Sequence, residues 1–352
     1  MALPGPGLSV DGGAHRPPLR EIALSSVDKM APVVTDAQVI AAAVAAAEPE
    51  IRREFLAIIA QLRSERSLAE LAELIRTHRA LDVVGDAQAA GAQLAEVIST
   101  IYLDAARKIT AHLTAKTGSF IAFDIANPRA IAEVKRMAAQ WVTEITDQQR
   151  QIVIDIVSEG VRAGVNPRTS ARQIRDSVGL TMRQHEHAKN YRRALEQLDS
   201  GALERALRDR RFDRTVARAI ADGKPLTRKQ IDSMVTRYRQ RYVKYRAEVI
   251  ARTEAIGAVH RGQQEAWAQA VDRGDIEAGL VVQQWVTAKD TRTRDSHRSM
   301  SGQKRAWGEP FTTGAGYSIR YPHDGDAPSS ETISCRCART IRLARKPSAA
   351  DA

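Results

Sequence analysis

Apolar residues recur at three- and four-residue intervals over most of the chain, the period of a helix with one buried face. Between 36 and 78 the positions are Ile40, Val44, Ile51, Phe55, Ile58, Ile59 and Leu62, continued by Leu68, Leu71, Leu74 and Ile75. Asp36 is placed to cap the first helix. Pro49 predicts the start of a second, because proline lacks the N–H that an interior turn uses and fits a first turn. A long helix is predicted from about 87 to 115, with Leu94, Val97, Ile98, Ile101 and Tyr102 on one face and Gly118 after it. Asn127-Pro128 has the form of an N-cap and first helical residue. The helix it opens carries Met137 and Trp141 and runs to Gly160. Asn166-Pro167 opens a short helix, Thr181 caps another, and Thr227 with Gln230 forms a capping box. The last box precedes a long apolar stripe, Ile231, Met234, Val235, Tyr238, Tyr242, Tyr245, Val249 and Ile250. Tyrosines at this spacing favour a core over a base-stacking platform.

After Gly274 and Gly279 the period shortens. Val281–Val286, Tyr317–Tyr321 and Ala338–Leu343 have the content of short strands. The fold class is therefore mainly α, with long helices in the N-terminal and middle regions and a small α+β C-terminal module. The expected organisation is a Pro- and Gly-rich flexible arm at 1–34, a helical domain at 35–160 and a basic helical segment at 161–224. A module at 225–345 and a tail at 346–352 complete it.

Composition adds a partner class. The 352 residues are 43% hydrophobic but only 5% aromatic, which favours helices packed through small side chains. The net charge is +11 and the pI near 9.9. Much of that charge lies between Arg150 and Arg261, so double-stranded DNA is the expected polyanion, with a merely solvated arginine-rich surface as the alternative. The candidate contacts are Arg205, Arg208, Arg210, Arg211, Arg214, Arg237, Arg239 and Arg241. No zinc-finger spacing, basic zipper or aromatic RNA motif is present, so binding would be non-specific and salt-sensitive. No apolar run reaches the roughly 18–20 residues of a membrane span, and the N-terminal stretch lacks the apolar core of a signal peptide.

Both cysteines, Cys335 and Cys337, lie in one stretch with His297 and His323. A pair separated by one residue is not a disulfide framework. Zinc takes Cys and His readily, so these four are candidate ligands of a structural zinc, although a knuckle usually has two to four residues between its cysteines. The other reading is two reduced thiols packed in a loop-rich core, with His297 making a fixed hydrogen bond. Cys–His catalysis lacks an evident third, orienting group. No catalytic residue is assigned, and no cofactor beyond the candidate zinc.

The order Ala251-Arg252-Thr253-Glu254, Trp285, Asp290-Thr291-Arg292-Thr293-Arg294, His297, Gly302, Pro310-Phe311, Pro322 and Cys335-Arg336-Cys337 resembles the phage head morphogenesis family of Mu F-like minor head proteins. The resemblance covers about 245–343. Members read Pro-Gly-Asp where this chain has Pro322-His323-Asp324, and Asn where it has Ser334. The resemblance implies a minor capsid protein, not an enzyme, inside the virion near the portal and in the host cytoplasm before assembly. It would assist assembly, or DNA packaging and ejection, with portal, capsid or scaffolding proteins and DNA as partners. The motif residues it marks are Arg252, Glu254, Trp285, Asp290, Arg292, Arg294, His297, Gly302, Phe311, Cys335 and Cys337. Arg252 and Glu254 are expected to tie the long helix to the loop bearing Asp290 and His297. Arg292 and Arg294 are expected to pair with Asp295 or Glu254, or to face phosphate. The rival is a metal-dependent nuclease or other DNA-acting enzyme.

Overall fold

The computed structural model describes residues 35–344; the expected arm, 1–34, and tail, 346–352, lie outside the described residues. In chain order the helices are α1 (Asp36–Glu65), α2 (Leu68–Arg76), α3 (Val83–Thr117), α4 (Pro128–Arg162), α5 (Pro167–Ser177), α6 (Met182–Glu196), α7 (Asp213–Asp222) and α8 (Arg228–Asp272). The C-terminal part adds β1 (Val281–Val286), α9 (Asp295–Arg298), β2 (Lys304–Ala306), β3 (Phe311–Thr312), β4 (Ser318–Ile319), α10 (Ser329–Thr332) and β5 (Ala338–Leu343).

Helix starts follow the side chains that satisfy their free N–H groups. Asn127 and Asn166 each accept from the second residue of the helix they precede. Thr181 and Thr227 form capping boxes with Gln184 and Gln230. Two expectations at α1 are corrected. Thr35 with Gln38 makes the capping box, while Asp36 stands in the first turn and meets His112 Nε2 at 2.7 Å. Pro49 does not begin a helix; α1 runs through it. An interior proline costs about 3 kcal/mol. Here Ala47, Ile51 and Phe55 are buried on both sides of it, and that packing keeps the helix continuous.

α8 is roughly 68 Å long at 1.5 Å per residue, and the rest is arranged along it. Its second half packs with α1, α3 and α4 around Ile51, Leu94, Ile98, Ile152, Ala255 and Trp267, and Val281 and Ile341 join the same core. That core therefore crosses the boundary expected near 225. Small residues let the helices close. A Cβ on Gly262 would lie 2.6 Å from the Tyr102 carbonyl, and one on Gly91 2.7 Å from Val142 Cα. The first half of α8 packs with α6 and α7 around Tyr191, Val216, Leu226, Met234 and Tyr238. The Tyr191 and Tyr238 rings lie 4.5 Å apart, so both belong to the core; Tyr245 is exposed.

The C-terminal sheet has the order β2-β1-β5, antiparallel throughout, with Gln283 opposite both Arg305 and Ile341. β3 and β4 pair as a separate hairpin. β1 and β5 match the expected spans; the strand expected at 317–321 is reduced to Ser318–Ile319. No helix among the described residues is long and apolar enough to cross a membrane.

The glycine contacts make a signed prediction. On helix propensity alone, Gly262→Ala should stabilise α8 by about 1 kcal/mol. The 2.6 Å approach to Tyr102 reverses that sign, and the variant should lose about 1–3 kcal/mol in urea unfolding of the full chain. A raised unfolding midpoint would refute the close packing.

Candidate metal centre and basic surface

β1 ends at Val286, and the chain turns through a loop organised by Asp290. Its carboxylate accepts the Arg292 N–H at 3.0 Å, the Thr293 hydroxyl at 3.2 Å and Arg336 Nη2 at 2.7 Å. The loop delivers α9, which carries His297 to 1% exposure. From the other side the chain enters β5 through Cys335-Arg336-Cys337. Alternation along an extended chain sends both thiols inward and Arg336 outward to Asp290. Cys335 Sγ lies 3.4 Å and Cys337 Sγ 3.5 Å from His297 Nδ1. Trp285 packs edge-on to His297, with Phe311 against Trp285. These residues form a small apolar core with Met300 and Ile319.

Three polar features complete the cluster. The Cys337 N–H donates to Cys335 Sγ at 3.4 Å. Glu331, itself buried, places a carboxylate oxygen 2.9 Å from His297 Nε2 and accepts the Ser296 hydroxyl at 2.9 Å. The thiols are driven apart. Hydrogen bonding from Cys337, then His297, holds Cys335 well below the ordinary thiol range against the effect of burial. The same Cys335 contact, and burial, push Cys337 up.

Three of the four ligands of a tetrahedral zinc stand at compatible distances. With Zn–S near 2.3 Å and Zn–N near 2.05 Å, tetrahedral ligands stand about 3.6 Å apart along an N–S edge; 3.4 and 3.5 Å are observed. Among the described residues, His297, Cys335 and Cys337 are the one group of three His, Cys or acidic residues whose ligand atoms converge in this way. His323, expected as a fourth ligand, is not in the group: its Nε2 donates to the Cys335 carbonyl at 2.8 Å. It braces the chain behind the cysteine.

The other motif residues hold this assembly to the bundle, by routes that differ from those expected. Arg252 reaches Glu48 of α1 at 3.5 Å. Glu254 meets Arg261 Nη2 at 3.4 Å and the Trp141 indole; burial pushes its carboxyl up, and Arg261 opposes that shift. Neither ties α8 to the Asp290 loop. Thr253 between them ties α8 instead to the stretch before Cys335, its hydroxyl oxygen accepting the Ser334 N–H at 3.1 Å. Arg294 donates to the Ile333 carbonyl, and Asp295 pairs with Arg298 instead of Arg292 or Arg294. Gly302, at φ 83, returns the chain so that its N–H meets the Trp285 carbonyl at 2.9 Å.

Sequence reasoning missed Glu331 and Arg339. Glu331 stands far from His297 in the chain and carries no motif spacing. Arg339 had a signal, since it shares the inward alternation of Cys337 and Ile341. It is fully buried, donating to Gln263, Gln264, Gln283 and the Arg320 carbonyl. Burial pushes it down to about 9, against the opposing pull of Tyr321 and Asp324.

The basic candidates separate into three kinds. Arg208 is forked onto Asp213, and Asp209 takes Arg211 and Arg241. Arg239 is buried, and desolvation pushes it down to about 10. That burial removes it from the surface DNA could reach. Arg205 is half-buried; Arg210, Arg214 and Arg237 are exposed and form no ion pair.

A family model described as Phage Mu protein F like protein matches residues 210–340, from the start of α7 to β5. The match supports the phage head morphogenesis family. A search of curated proteins gave no match, and neither did a search of solved structures.

Two departures from the family pattern now have a physical meaning. His323 and Ser334, where the pattern has Gly and Asn, adopt φ 62 and 58, the left-handed region that those two residue types enter most easily. Ser334→Asn should therefore stabilise the chain by up to about 1 kcal/mol in thermal melts; a lower Tm would contradict it. Glu254→Ala should destabilise by about 1–3 kcal/mol, because the Trp141 indole loses its acceptor and Arg261 keeps only Glu133, at 3.2 Å. A Glu254→Ala chain with an unchanged melting curve would remove the anchoring role.

Proposed function

From the premise that residues 210–340 form a phage Mu protein F-like region, we propose that this chain is a non-enzymatic minor capsid protein. It sits inside the head near the portal, after assembling in the host cytoplasm. Portal, capsid or scaffolding proteins are its protein partners. Non-specific contacts to double-stranded DNA serve packaging or ejection. The observation that carries this reading is the character of the matched region's centre. Cys335, Cys337 and His297 are walled in by Trp285, Met300 and Phe311, and their backbone is tied to α8 through Thr253. This is a closed joint, built to hold shape. Glu331 supplies the third group that a Cys–His nucleophile needs, yet Cys335 is 2% exposed, so a substrate has no path to its sulfur in this conformation.

The joint is a structural zinc centre in this reading. Cys335 and Cys337 Sγ and His297 Nδ1 would hold the metal, and Glu331 would fix the ring from its other nitrogen. Zinc would supply a cross-link between α9 and the entry to β5. A metalloenzyme acting on DNA would instead gather carboxylates and an open position on a reachable wall; Asp290 is already committed to Arg336 and its own loop.

Peptide counting on purified procapsids and filled heads tests the placement. The chain should be present in both, in few copies relative to the portal protein; its absence from both, with the protein left free in the lysate, would overturn the proposal. Chelation tests the zinc. A strong chelator should lower the Tm of the wild type, and added zinc should restore it. Cys337→Ser should abolish that response. A chelator-insensitive wild type would count against the metal.

A further inference from the structure

The arginines of the middle segment do not spread an even basic coat. Asp213 takes Arg208, Asp209 takes Arg211 and Arg241, Asp232 takes Arg192, and Arg239 is buried. One stretch of free charge lies where α7 turns into α8. Arg214 and Arg218, four residues apart on one face of α7, line a groove of about 620 Å³ with Lys224 from the turn. All three are exposed, and none has an ion-pair partner among the described residues. Asp222 is the carboxylate in the groove's lining.

Three physical features make this a built surface. Val216 and Ala219 bury the opposite face of α7 in the second core, so the two arginines stand on a fixed support. Gly223, at φ 61, ends α7 and sets the turn that presents Lys224. Arg228 and Lys229 then occupy the first turn of α8, which has no acidic residue. Positive charge at the N-terminal end of a helix opposes its macrodipole, and like charges four apart on α7 repel. Asp222 offsets these local costs only in part, as expected where an outside anion supplies the rest.

We propose that this groove is the place where the chain grips the phosphodiester backbone of double-stranded DNA. The inference rests on the DNA contacts of the proposed function and locates them. Arg214 and Arg218 are separated by about 6 Å along the helix axis, enough to span about two successive charges of a strand at roughly 3.4 Å each. The groove suits a polyelectrolyte better than a protein face. Protein interfaces need an apolar or aromatic anchor, and none of the exposed large hydrophobic side chains lies between 205 and 244. Gln230, the amide in the groove's lining, is engaged in capping α8, so Arg214, Arg218 and Lys224 are the groups left to meet the phosphates.

The test is a salt titration of binding to a short random-sequence duplex, with purified full chain. One variant carries Arg214→Gln, Arg218→Gln and Lys224→Gln. A charge-matched control carries Arg107→Gln, Lys135→Gln and Arg162→Gln, three exposed cations that form no ion pair. Melting curves confirm that both fold. The groove variant should bind at least about tenfold more weakly, and its slope of log K against log salt should flatten by about 2.7, at 0.9 per lost phosphate contact. The control should change little. Equal losses in the two variants would show that net charge alone acts, and would overturn the groove. So would a wild type that ignores the duplex at moderate salt. If such a chain still enters heads, and the groove variant does not, the head placement stands and the groove's partner is an acidic protein face.

Discussion

The meeting of one imidazole nitrogen with two thiols is the constraint on which the C-terminal module depends. Around it, beyond β1 and β5, the secondary structure is slight: strands of two or three residues, helices of one turn and long loops. The local apolar core is Trp285, Met300, Phe311, Ile319 and the cysteines themselves. So little buried surface does not by itself fix a loop-rich segment, and the contacts of His297 with both thiols add to it. The surrounding bonds serve that centre. His323 braces the Cys335 carbonyl, Arg336 pins the Asp290 loop, and Thr253 takes the Ser334 N–H. Through Thr253 the geometry of the cluster is referred to α8, the longest element of the fold.

Much of the fold was legible in the sequence because its signals are local. Asn-Pro and Thr-x-x-Gln place helix starts through bonds closed within a few residues, and β1 and β5 declared themselves by content and alternation. Pro49 misled for the opposite reason: its local penalty is outweighed by burial of Ala47, Ile51 and Phe55 against distant helices, which no window around residue 49 contains. The strands β2 and β3 were missed because they are set by register against β1 and by a hairpin, not by their own composition.

The site divides the same way. His297, Cys335 and Cys337 were legible as ligand types, and the cysteine alternation gave their shared direction. His323 has the right chemistry in the wrong place, because a left-handed backbone turns it behind the cysteine. Glu331 was invisible, since its relation to His297 is purely tertiary. The arginines illustrate a further limit. Counting charge found the basic segment, yet Asp209 and Asp213, close in sequence, neutralise much of it through contacts that depend on how α7 is seated. What remains is a groove at one end of α8, while the metal-type joint is tied to α8 at Thr253. A single helix thus connects a charged surface to a closed joint.

The central claim is that the joint is metal-organised. Zinc K-edge absorption spectroscopy on the full chain, purified under reducing conditions, tests it most directly. The account predicts stoichiometric zinc whose first shell holds two sulfurs near 2.3 Å and one nitrogen near 2.0 Å, with the sulfur signal reduced in Cys335→Ser. A chain that carries no zinc after reconstitution, or zinc bound by oxygen alone, would contradict it and leave His297, Cys335 and Cys337 as a packed hydrogen-bonded core.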